Sequence, residues 1–464
     1  MSSCEINRTM NHCCKTFTRK GIKKIKFTQH ATLPLKELSA FKTKCMKKSN
    51  QFISWYLLTV MGVILLFASC KKTDTGQTKT YTIYTPVYKS KAAVLAAINS
   101  NSYRSIEHAG KIYIKDNFIY LNEVNKGIHI IDNSNPSRPV QIAFLSIPGN
   151  LDIAIKGNTL YADMYTDLLA LDIANPRQAR ITGTLNNFFT GRSYVNGHMA
   201  YIDDQVAADW IEKDTTVPAD QYPVNCNFCF DNMGPLATAA GAIKSSTGTA
   251  GSMAGMVLMN DHLYAITEMH SLSIVDISNA ASPILDSSFF AGFDLQTVFP
   301  FEDKLFLGSA IGMFMYDVSD PAHPVQAGQF THGRACDPVI TDGHYAYVTL
   351  HAESWCGGET NELNVIDVND LQHPQLVKTY QLTKPTGLSK DGNLLFICDN
   401  TAVKIYNAAQ PAALLLMQQI ASNEPYDIIT ANNKAMVVCN NGLYQYDYSN
   451  INHIRLLSFL PVKR

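Results

Sequence analysis

Five charged residues occupy matching places in an internal repeat of this chain and could together bind a ligand. Asp152, Asp337 and Asp427 each open a short apolar strand, Arg192 holds the position that matches Asp152 one repeat later, and Arg334 lies close by in sequence. Clustered carboxylates can bind a cation, and an arginine beside them can hold a sugar through paired hydrogen bonds. We expect a ligand site here, with capping of strand ends as the structural alternative. No residue is assigned a catalytic role.

Two cysteines, Cys226 and Cys229, form a C-x-x-C pair inside a long stretch that interrupts the repeat at 205–254. A second pair would indicate zinc, and a βαβ context would indicate redox chemistry, but this pair has neither. The alternatives are a local disulfide, a metal site completed by His or acidic partners, and two free thiols. The tail of this stretch is rich in small residues and predicts a mobile loop.

A second interruption, HAESWCGGETNE at 351–362, places Cys356 on a loop of the repeat that begins just after Cys336. Hairpin geometry would bring both cysteines to one end of that repeat, so we expect a Cys336–Cys356 disulfide. Such a bond stabilises a fold by about 2–4 kcal/mol. The alternative is a zinc site with four ligands, namely the same two cysteines together with His332 and His351.

Aromatic residues in the interrupting and connecting loops form a weaker candidate. Tyr165, Trp210, His270 and Trp355 could present a platform for carbohydrate, although loop aromatics also pack against loops. The sequence has no G-x-S-x-G, H-E-x-x-H, Walker or EF-hand pattern. We therefore expect no cofactor, while a structural cation in a central channel stays open.

The amino end predicts export. Residues 46–69 combine a basic start, an apolar stretch and small residues before Cys70, which is the pattern of a secretory signal. The ending FASC resembles a bacterial lipobox, and this resemblance implies a lipid on Cys70. An uncleaved membrane anchor is the alternative.

Residues 70–105 predict a tether and lead-in. Residues 1–45 show no clear pattern and predict a disordered extension or sequence upstream of the true start.

Charge is divided unevenly along the chain. Residues 1–69 hold 12 of the 38 Lys and Arg residues but only two of the 39 acids, so the remainder has 26 basic and 37 acidic side chains. A mature chain with a net charge of −11 repels phosphate backbones and has no basic stripe. Nucleic acid is therefore not an expected partner.

The elements that must position these residues follow from one recurring phrase, GIHIIDNSNP at 127–136. Each copy has a short apolar strand, an Asp or Asn and a polar turn, and most copies have strands with aromatic or tight-turn residues before them and an outer strand after them. Marker positions recur about every 40 residues, as in Asp132 and Asp172, or Asp276 and Asp317. Four short antiparallel strands at this period predict an all-β propeller over 106–464. Eight blades are expected when the divergent copy at 192–254 is counted, and seven are the alternative.

GIHIIDNSNPSRPV and LSIVDISNAASP resemble the LVIVD repeat of bacterial cell-surface proteins. The resemblance covers nearly all of 106–464, although VKIYNAAQP lacks the Asp and the third copy is largely lost. It implies a propeller on exported, often lipid-anchored proteins, and it brings no catalytic residues. The marker Asp itself predicts a turn-forming role, because its carboxylate can accept N–H groups of the following turn.

These features together predict a non-enzymatic lipid-anchored protein of the bacterial envelope, most simply of the outer membrane, that binds a protein or glycan partner. The alternative is a hydrolase or lyase of extracellular polysaccharides that uses acids at the channel mouth. That chemistry would need two accessible carboxylates roughly 5–10 Å apart.

Overall fold

The computed structural model describes residues 78–98, 100–101, 103–218, 249–335, 338–352 and 358–463. Residues 78–464 form one compact unit. It begins with a long strand, a short helix and a two-residue strand: β1 (Thr78–Ser90), α1 (Lys91–Ala97) and β2 (Ser100–Asn101). Ser90 caps the helix by accepting the N–H of Ala93 on its side chain.

Two four-stranded antiparallel meanders follow, and each is one blade. Their strands, in chain order, are β3 (Ala109–Lys115), β4 (Phe118–Glu123), β5 (Gly127–Asp132) and β6 (Val140–Ser146) in blade 1, then β7 (Ile153–Lys156), β8 (Thr159–Met164), β9 (Asp167–Asp172) and β10 (Arg180–Leu185) in blade 2. Strand β2 adds to the outer edge of blade 1 by pairing with β6.

The divergent copy does not form a blade within the described residues. Its strands are β11 (Tyr194–Val195), β12 (His198–Met199), β13 (Tyr201–Ile202), β14 (Gln205–Pro218) and β15 (Thr249–Ala250). Four of them are only two residues long, and β14 pairs with β1 over its whole length instead of with a blade. Strand β15 pairs with β3 at the inner edge of blade 1.

Five further meanders complete the ring. They are β16 (Met256–Met259), β17 (His262–Glu268), β18 (Ser271–Asp276) and β19 (Ile284–Phe290) in blade 3; β20 (Leu295–Phe301), β21 (Lys304–Ser309), β22 (Gly312–Asp317) and β23 (Val325–Thr331) in blade 4; β24 (Val339–Thr341), β25 (Tyr345–Leu350), β26 (Glu362–Asp367) and β27 (Gln375–Gln381) in blade 5; β28 (Pro385–Asp391), β29 (Leu394–Asp399), β30 (Ala402–Asn407) and β31 (Leu415–Ala421) in blade 6; β32 (Pro425–Ala431), β33 (Lys434–Cys439), β34 (Gly442–Asp447) and β35 (Arg455–Pro461) in blade 7.

The predicted propeller is confirmed, and the described residues form seven blades, the smaller of the two expected counts. Strand β7 of blade 2 contacts β16 of blade 3 directly, so the residues between those blades form an insertion rather than a blade. Strand β3 contacts β32 and β33, which closes the ring. The first and last blades each keep four strands of their own, joined by a parallel bridge between Ile106 and Val462.

The repeated aromatic of each second strand fills the space between blades. Tyr161, Tyr264, Tyr347 and Phe396 are completely buried, as is Val437, which replaces the aromatic in the last copy. The Tyr264 hydroxyl donates to the carbonyl of Pro321 in the next blade at 2.9 Å. The outer strands alternate between exposed and half-buried residues, as expected for a sheet edge with one wet face.

The marker Asp is a turn-former, as predicted. In every blade its side-chain oxygen, or that of the Asn in blade 6, accepts the backbone N–H two residues later, at 2.7–3.0 Å. The side-chain and backbone hydrogen bonds of Ser319 lower the pKa of Asp317 to about 2. This motif therefore shapes the connection between the third and fourth strands of each blade.

Candidate functional site

Both interruptions of the repeat lie on the same face of the ring. Connections between blades, and turns between second and third strands, converge there; we call it the insertion face. The first interruption lies between β10 and β16, and the second between β25 and β26. The marker turns lie on the opposite face, because they connect third strands to fourth strands. Binding loops of a propeller gather where connections converge.

The channel at the centre of the ring contains a segment of the chain itself. Residues 249–255, which end the first insertion, pair with the inner edge of β3 and then cross between the blades. Ser252 and Ala254 are completely buried. The backbone of this segment, which we call the plug, hydrogen-bonds to strands of blades 1, 3 and 4 through Gly251, Ala254 and Gly255. The predicted loop ends at Ser252, and its last residues, 249–252, instead form hydrogen bonds with the blades.

Asp427 lies at the channel, where it holds the plug. The Ser252 N–H donates to its Oδ1 at 3.1 Å, and the N–H of Ile428 donates to the same oxygen at 2.9 Å. The Ser252 hydroxyl in turn accepts the N–H of Leu388 in blade 6 at 2.7 Å. A Cβ on Gly251 would lie 2.1 Å from Asp427 Oδ2, so a larger residue there would force this carboxylate to move.

Asp152 holds the other end of the plug. Its Oδ2 accepts the N–H of Gly255 at 2.8 Å and pairs with the Lys111 ammonium at 2.7 Å. Burial lowers the pKa of Lys111, and Asp152 and then Asp427 oppose that effect. Lys111 was not singled out in the sequence, because a lone lysine inside an apolar strand has no motif to identify it.

Arg192 is buried in the same neighbourhood. Its guanidinium pairs with Asp163 and donates to the carbonyl of Gly149. Burial lowers its pKa to about 10, although nearby Asp152 acts in the opposite direction. The structure thus brings Asp152, Arg192 and Asp427 together around Lys111, where their described contacts are with protein groups.

The two remaining predicted ligand residues lie elsewhere. Arg334 is more than half exposed and donates to Asp294 at 3.1 Å on the insertion face. Asp337 lies outside the described residues. Asp152 and Asp427 are both buried and bound to backbone N–H groups, so neither is placed to act as a general acid or a nucleophile on a polymer. This removes the basis of the hydrolase alternative at these two acids.

Buried carboxylates also clasp the connections between blades. Glu123 and Asp399 end the second strands of blades 1 and 6, and Asp163 lies one position earlier in blade 2. Each accepts two consecutive backbone N–H groups of the preceding connection and pairs with a basic side chain. Although burial raises the pKa of Glu123, the hydrogen bonds from His129 and the backbone lower it overall.

Ligand atoms of Glu107, His108 and Glu123 lie within 4.8 Å of one another. The Glu123 oxygens, however, already accept three protein groups, and Lys126 pairs with Glu107 at 2.8 Å. A cation would have to displace these partners, so we interpret this cluster as a clasp rather than a metal centre.

The exposed feature of the insertion face is an aromatic cleft between blades 3 and 4. Phe290 and Phe293 expose 57% and 55% of their surface, and their rings meet edge to face at 4.9 Å. His270 packs against Phe293 at 5.5 Å and accepts the N–H of Asp294. The cleft has a volume of about 320 Å³ and carries no ionisable side chain apart from a tyrosine hydroxyl; its other main lining side chains are Ile311, Phe314, Tyr316, Gln326, Gln329 and Phe330.

Of the aromatics proposed from the sequence, His270 lies beside this cleft, where it packs against Phe290 and Phe293. Tyr165 is completely buried, donates to the carbonyl of Ala207 and accepts the indole N–H of Trp210 at 3.0 Å. Trp355 lies outside the described residues. Sequence reasoning missed Phe290 and Phe293, because they lie at the end of an outer strand and in a short connection, where an isolated Phe gives no pattern.

Cys70, Cys226, Cys229, Cys336 and Cys356 all lie outside the described residues, and the lipid and disulfide expectations stay predictions. Residues that flank Cys336 and Cys356 are nevertheless close together, because a Cβ on Gly358 would lie 2.9 Å from the Ala335 Cα.

Cys398 and Cys439 are buried free thiols, as expected for core positions. Burial raises the pKa of Cys439 to about 12.

Comparison with known proteins now bears on the repeat. A family model described as LVIVD repeat matches residues 107–143, 250–290 and 332–382. The chain carries LVIVD repeats. The three matches fall on blade 1, on the plug together with blade 3, and on blade 5 with the connection that precedes it.

The chain is also similar to several solved structures. The chain is similar to a protein from Lactobacillus plantarum at 13% identity, over 76% of this chain and 96% of that one, with a TM-score of 0.50. It is also similar to periplasmic gluconolactonase PpgL from Pseudomonas aeruginosa at 11% identity, over 76% of this chain and 96% of that one, with a TM-score of 0.49. For BamB from Moraxella catarrhalis the identity is 10%, the coverage is 74% of this chain and 84% of that one, and the TM-score is 0.41. Identities this low concern the fold alone. No curated protein sequence matches the chain.

Proposed function

We propose that this chain is a non-enzymatic, lipid-anchored protein of the bacterial envelope, exported and held at the outer membrane, whose propeller is a binding or scaffold module for a protein or glycan partner. The observation that carries the proposal is a contrast on one face of the ring. The plug fills the central channel, whereas the aromatic cleft towards the outer rim, between blades 3 and 4, is open.

The filled channel argues against chemistry at the centre of the ring. Asp152 and Asp427 are engaged by Lys111 and by the plug backbone, and Ser252 is completely buried between them. A substrate could reach these carboxylates only by displacing the plug, which bonds to strands of several blades. The same contacts make the ring rigid, and rigidity suits a module that presents a surface.

The cleft supplies the surface. Two phenylalanines that each expose more than half of their area are unusual on an isolated soluble domain, and clustered exposed aromatics mark interfaces. Aromatic residues and arginine also dominate the energetics of protein interfaces, and Arg334 lies beside the cleft through its bond to Asp294. For a glycan, the rings offer stacking faces, while Gln326 and Gln329 offer amide groups at the edge.

The envelope location rests on the sequence. Residues 46–69 have the parts of a secretory signal, and FASC ends at the cysteine that would carry the lipid. No helix among the described residues is both long enough and apolar enough to span a bilayer.

The proposal is tested by photo-crosslinking in cells. A benzoyl-phenylalanine at Gln329, at the edge of the cleft, is expected to capture a discrete envelope protein or a glycan-containing species. The Phe290→Ser/Phe293→Ser double variant should abolish that product, because burying two phenylalanines contributes about 3 kcal/mol or more to binding.

The control variant is Leu415→Ser, which removes an aliphatic side chain 61% exposed on the outer strand of blade 6. It should leave the product unchanged. A glycan array probed with the purified chain then separates the two partner classes. Equal crosslinking by the double variant and the control, or turnover of an extracellular polysaccharide by the purified chain, would contradict the proposal.

A further inference from the structure

Strands β1 and β14 form a two-stranded ribbon that is longer than any blade strand. Thirteen residue pairs match from Thr78 opposite Pro218 to Ser90 opposite Gln205, with one bulge at Val87. At about 3.3 Å per residue the ribbon extends for roughly 43 Å. An isolated two-stranded ribbon is at best marginally stable in water, so this one needs support on at least one face.

The inner face of the ribbon is supported by the protein. Trp210 packs against Tyr84 and against His198 of β12, and His198 also bonds to the Tyr84 carbonyl at 3.0 Å. Nearer the tip, the Thr82 hydroxyl donates to Asp214 across the ribbon at 2.8 Å. This face is acidic: besides burial, Glu212 and Asp214 raise the pKa of Tyr84.

The outer face has the opposite character. Side chains alternate along a strand, so Ile83 and Ile211 point away from the face that holds Trp210. They expose 41% and 60% of their surface. The same face carries Lys79 and Lys213 and no acid from Thr78 to Val87 or from Ile211 to Pro218, and the exposed Asp209 opposite Val87 is the next acid along it. Apolar side chains beside lysines suit the interface of a bilayer that contains anionic lipids.

The length of the tether brings this face to the membrane. Thr78 follows Cys70 by eight residues, which span at most about 28 Å when fully extended. A lipid at Cys70 would therefore hold the tip of the ribbon within reach of the headgroups. Tethering also raises the effective concentration of the surface to the millimolar range for a short linker, so a small apolar patch suffices.

We infer that the outer face of the ribbon, formed by Lys79, Tyr81, Ile83, Ile211 and Lys213, rests on an anionic bilayer surface. The inference rests on the lipid at Cys70 contained in the proposed function. The ribbon then sets the orientation of the propeller at the membrane. A protein strand added to the ribbon edge is the competing occupant.

The test replaces the lipid by a tether that is independent of lipidation. The chain from Lys71 onward, with an amino-terminal hexahistidine tag, is bound to vesicles of phosphatidylethanolamine and phosphatidylglycerol that contain a nickel-chelating lipid. Tryptophan is introduced by Ile83→Trp or, as the matched control, by Ile284→Trp on the outer strand of blade 3, which is 58% exposed. Brominated lipids should quench the added tryptophan at position 83 and not the one at 284.

A second measurement uses the same chain without the tag. Ile83→Ser with Ile211→Ser should lower partitioning into these vesicles about tenfold, because two aliphatic side chains lose their burial. Lys79→Gln with Lys213→Gln should weaken binding to phosphatidylglycerol vesicles and leave binding to phosphatidylcholine vesicles unchanged.

Equal quenching at positions 83 and 284 overturns the inference. So does a benzoyl-phenylalanine at position 83 that captures an envelope protein in cells while the vesicle quenching is absent. Failure of palmitate labelling at Cys70 in cells would instead overturn the lipid anchor of the proposed function. The vesicle result would then stand by itself, because the tag replaces the lipid.

Discussion

At the scale of single residues, carboxylates do three kinds of work in this protein. Half-buried ones at the marker positions form turns, fully buried ones such as Asp399 clasp the connections between blades, and Asp152 and Asp427 hold the plug. Position in the blade decides the role, because the same side chain meets loose backbone N–H groups at a strand end and lysines or arginines in the interior.

Replacing a buried carboxylate that clasps a connection should lower the free energy of unfolding much more than replacing an exposed carboxylate in a turn. Asp399→Ala leaves the N–H groups of Thr383 and Lys384 without their acceptor and strands the Lys404 ammonium. We expect a loss of about 3 kcal/mol in the free energy of unfolding, measured by urea denaturation.

The comparison for that experiment is Asp370→Ala, whose side chain is 64% exposed. This variant should lose no more than about 1 kcal/mol. If the two variants are equally stable, Asp399 is not a clasp, and its contacts contribute nothing measurable.

At the scale of elements, the segments that interrupt the repeat form structures that are not blades. The first provides one strand of the ribbon and most of the plug, and only its tail, which is rich in small residues, indicates a loop by composition. Small residues are the reason for the plug, since a segment that passes between converging strands has no room for side chains.

Gly251 provides the direct test of the plug. A methyl group there would lie 2.1 Å from Asp427 Oδ2, whereas one on Gly333 meets nothing within 4 Å. Gly251→Ala should lower the free energy of unfolding by about 1–3 kcal/mol and speed deuterium exchange at 251–255, while Gly333→Ala should change neither by a comparable amount. Equal stability of the two variants would contradict the packing described for the plug.

The blades were predictable from the sequence, but the structure of the divergent copy at 192–254 was not. Marker spacing near 40 residues follows from the number of residues that four short strands and their turns need. The spacing is therefore visible even where individual residues of the repeat differ. Tyr201 matches the aromatic of other second strands, yet its two-residue strand pairs with β14. Local pattern cannot reveal this choice, because β1, the partner of β14, lies more than a hundred residues away in sequence.

The candidate site was predictable only in part, for a related reason. Asp152 and Asp427 lie at matching places near the starts of inner strands in blades 2 and 7, whereas Arg192 ends a short helical turn outside any blade and is buried near Asp152. Their partners could not be foreseen, because Lys111 and the plug have no motif. The cleft escaped notice because Phe290 and Phe293 become a surface only when blades 3 and 4 are adjacent.

At the scale of the whole molecule, closure depends on backbone pairing between the two ends of the ring. The Lys463 N–H donates to the Ile106 carbonyl at 2.7 Å across the seam, while the Val462 N–H donates to the Asn441 carbonyl at 2.9 Å within blade 7. No strand is shared between the first and last blades among the described residues, so the Lys463–Ile106 bond supplements side-chain packing across the seam.

A proline tests the contribution of this seam. Lys463→Pro removes the N–H that bonds to Ile106, and we expect the free energy of unfolding to fall by about 1 kcal/mol. Lys463→Ala is the matched control, because residue 463 is exposed and alanine keeps the N–H. A fall of equal size in both variants would assign the effect to the lysine side chain and contradict the role of the bond.

The plug changes how such a ring can come apart. In repeat proteins whose units touch only their neighbours, stability is a sum along the chain, and end units can fray one at a time. Here Ser252 joins blades 6 and 7, and Gly255 joins blades 2 and 3, through a segment that is not part of any blade. Blades far apart around the circle thus share one set of bonds, and loosening any of them weakens the others. The ring should therefore melt in a single cooperative transition rather than blade by blade.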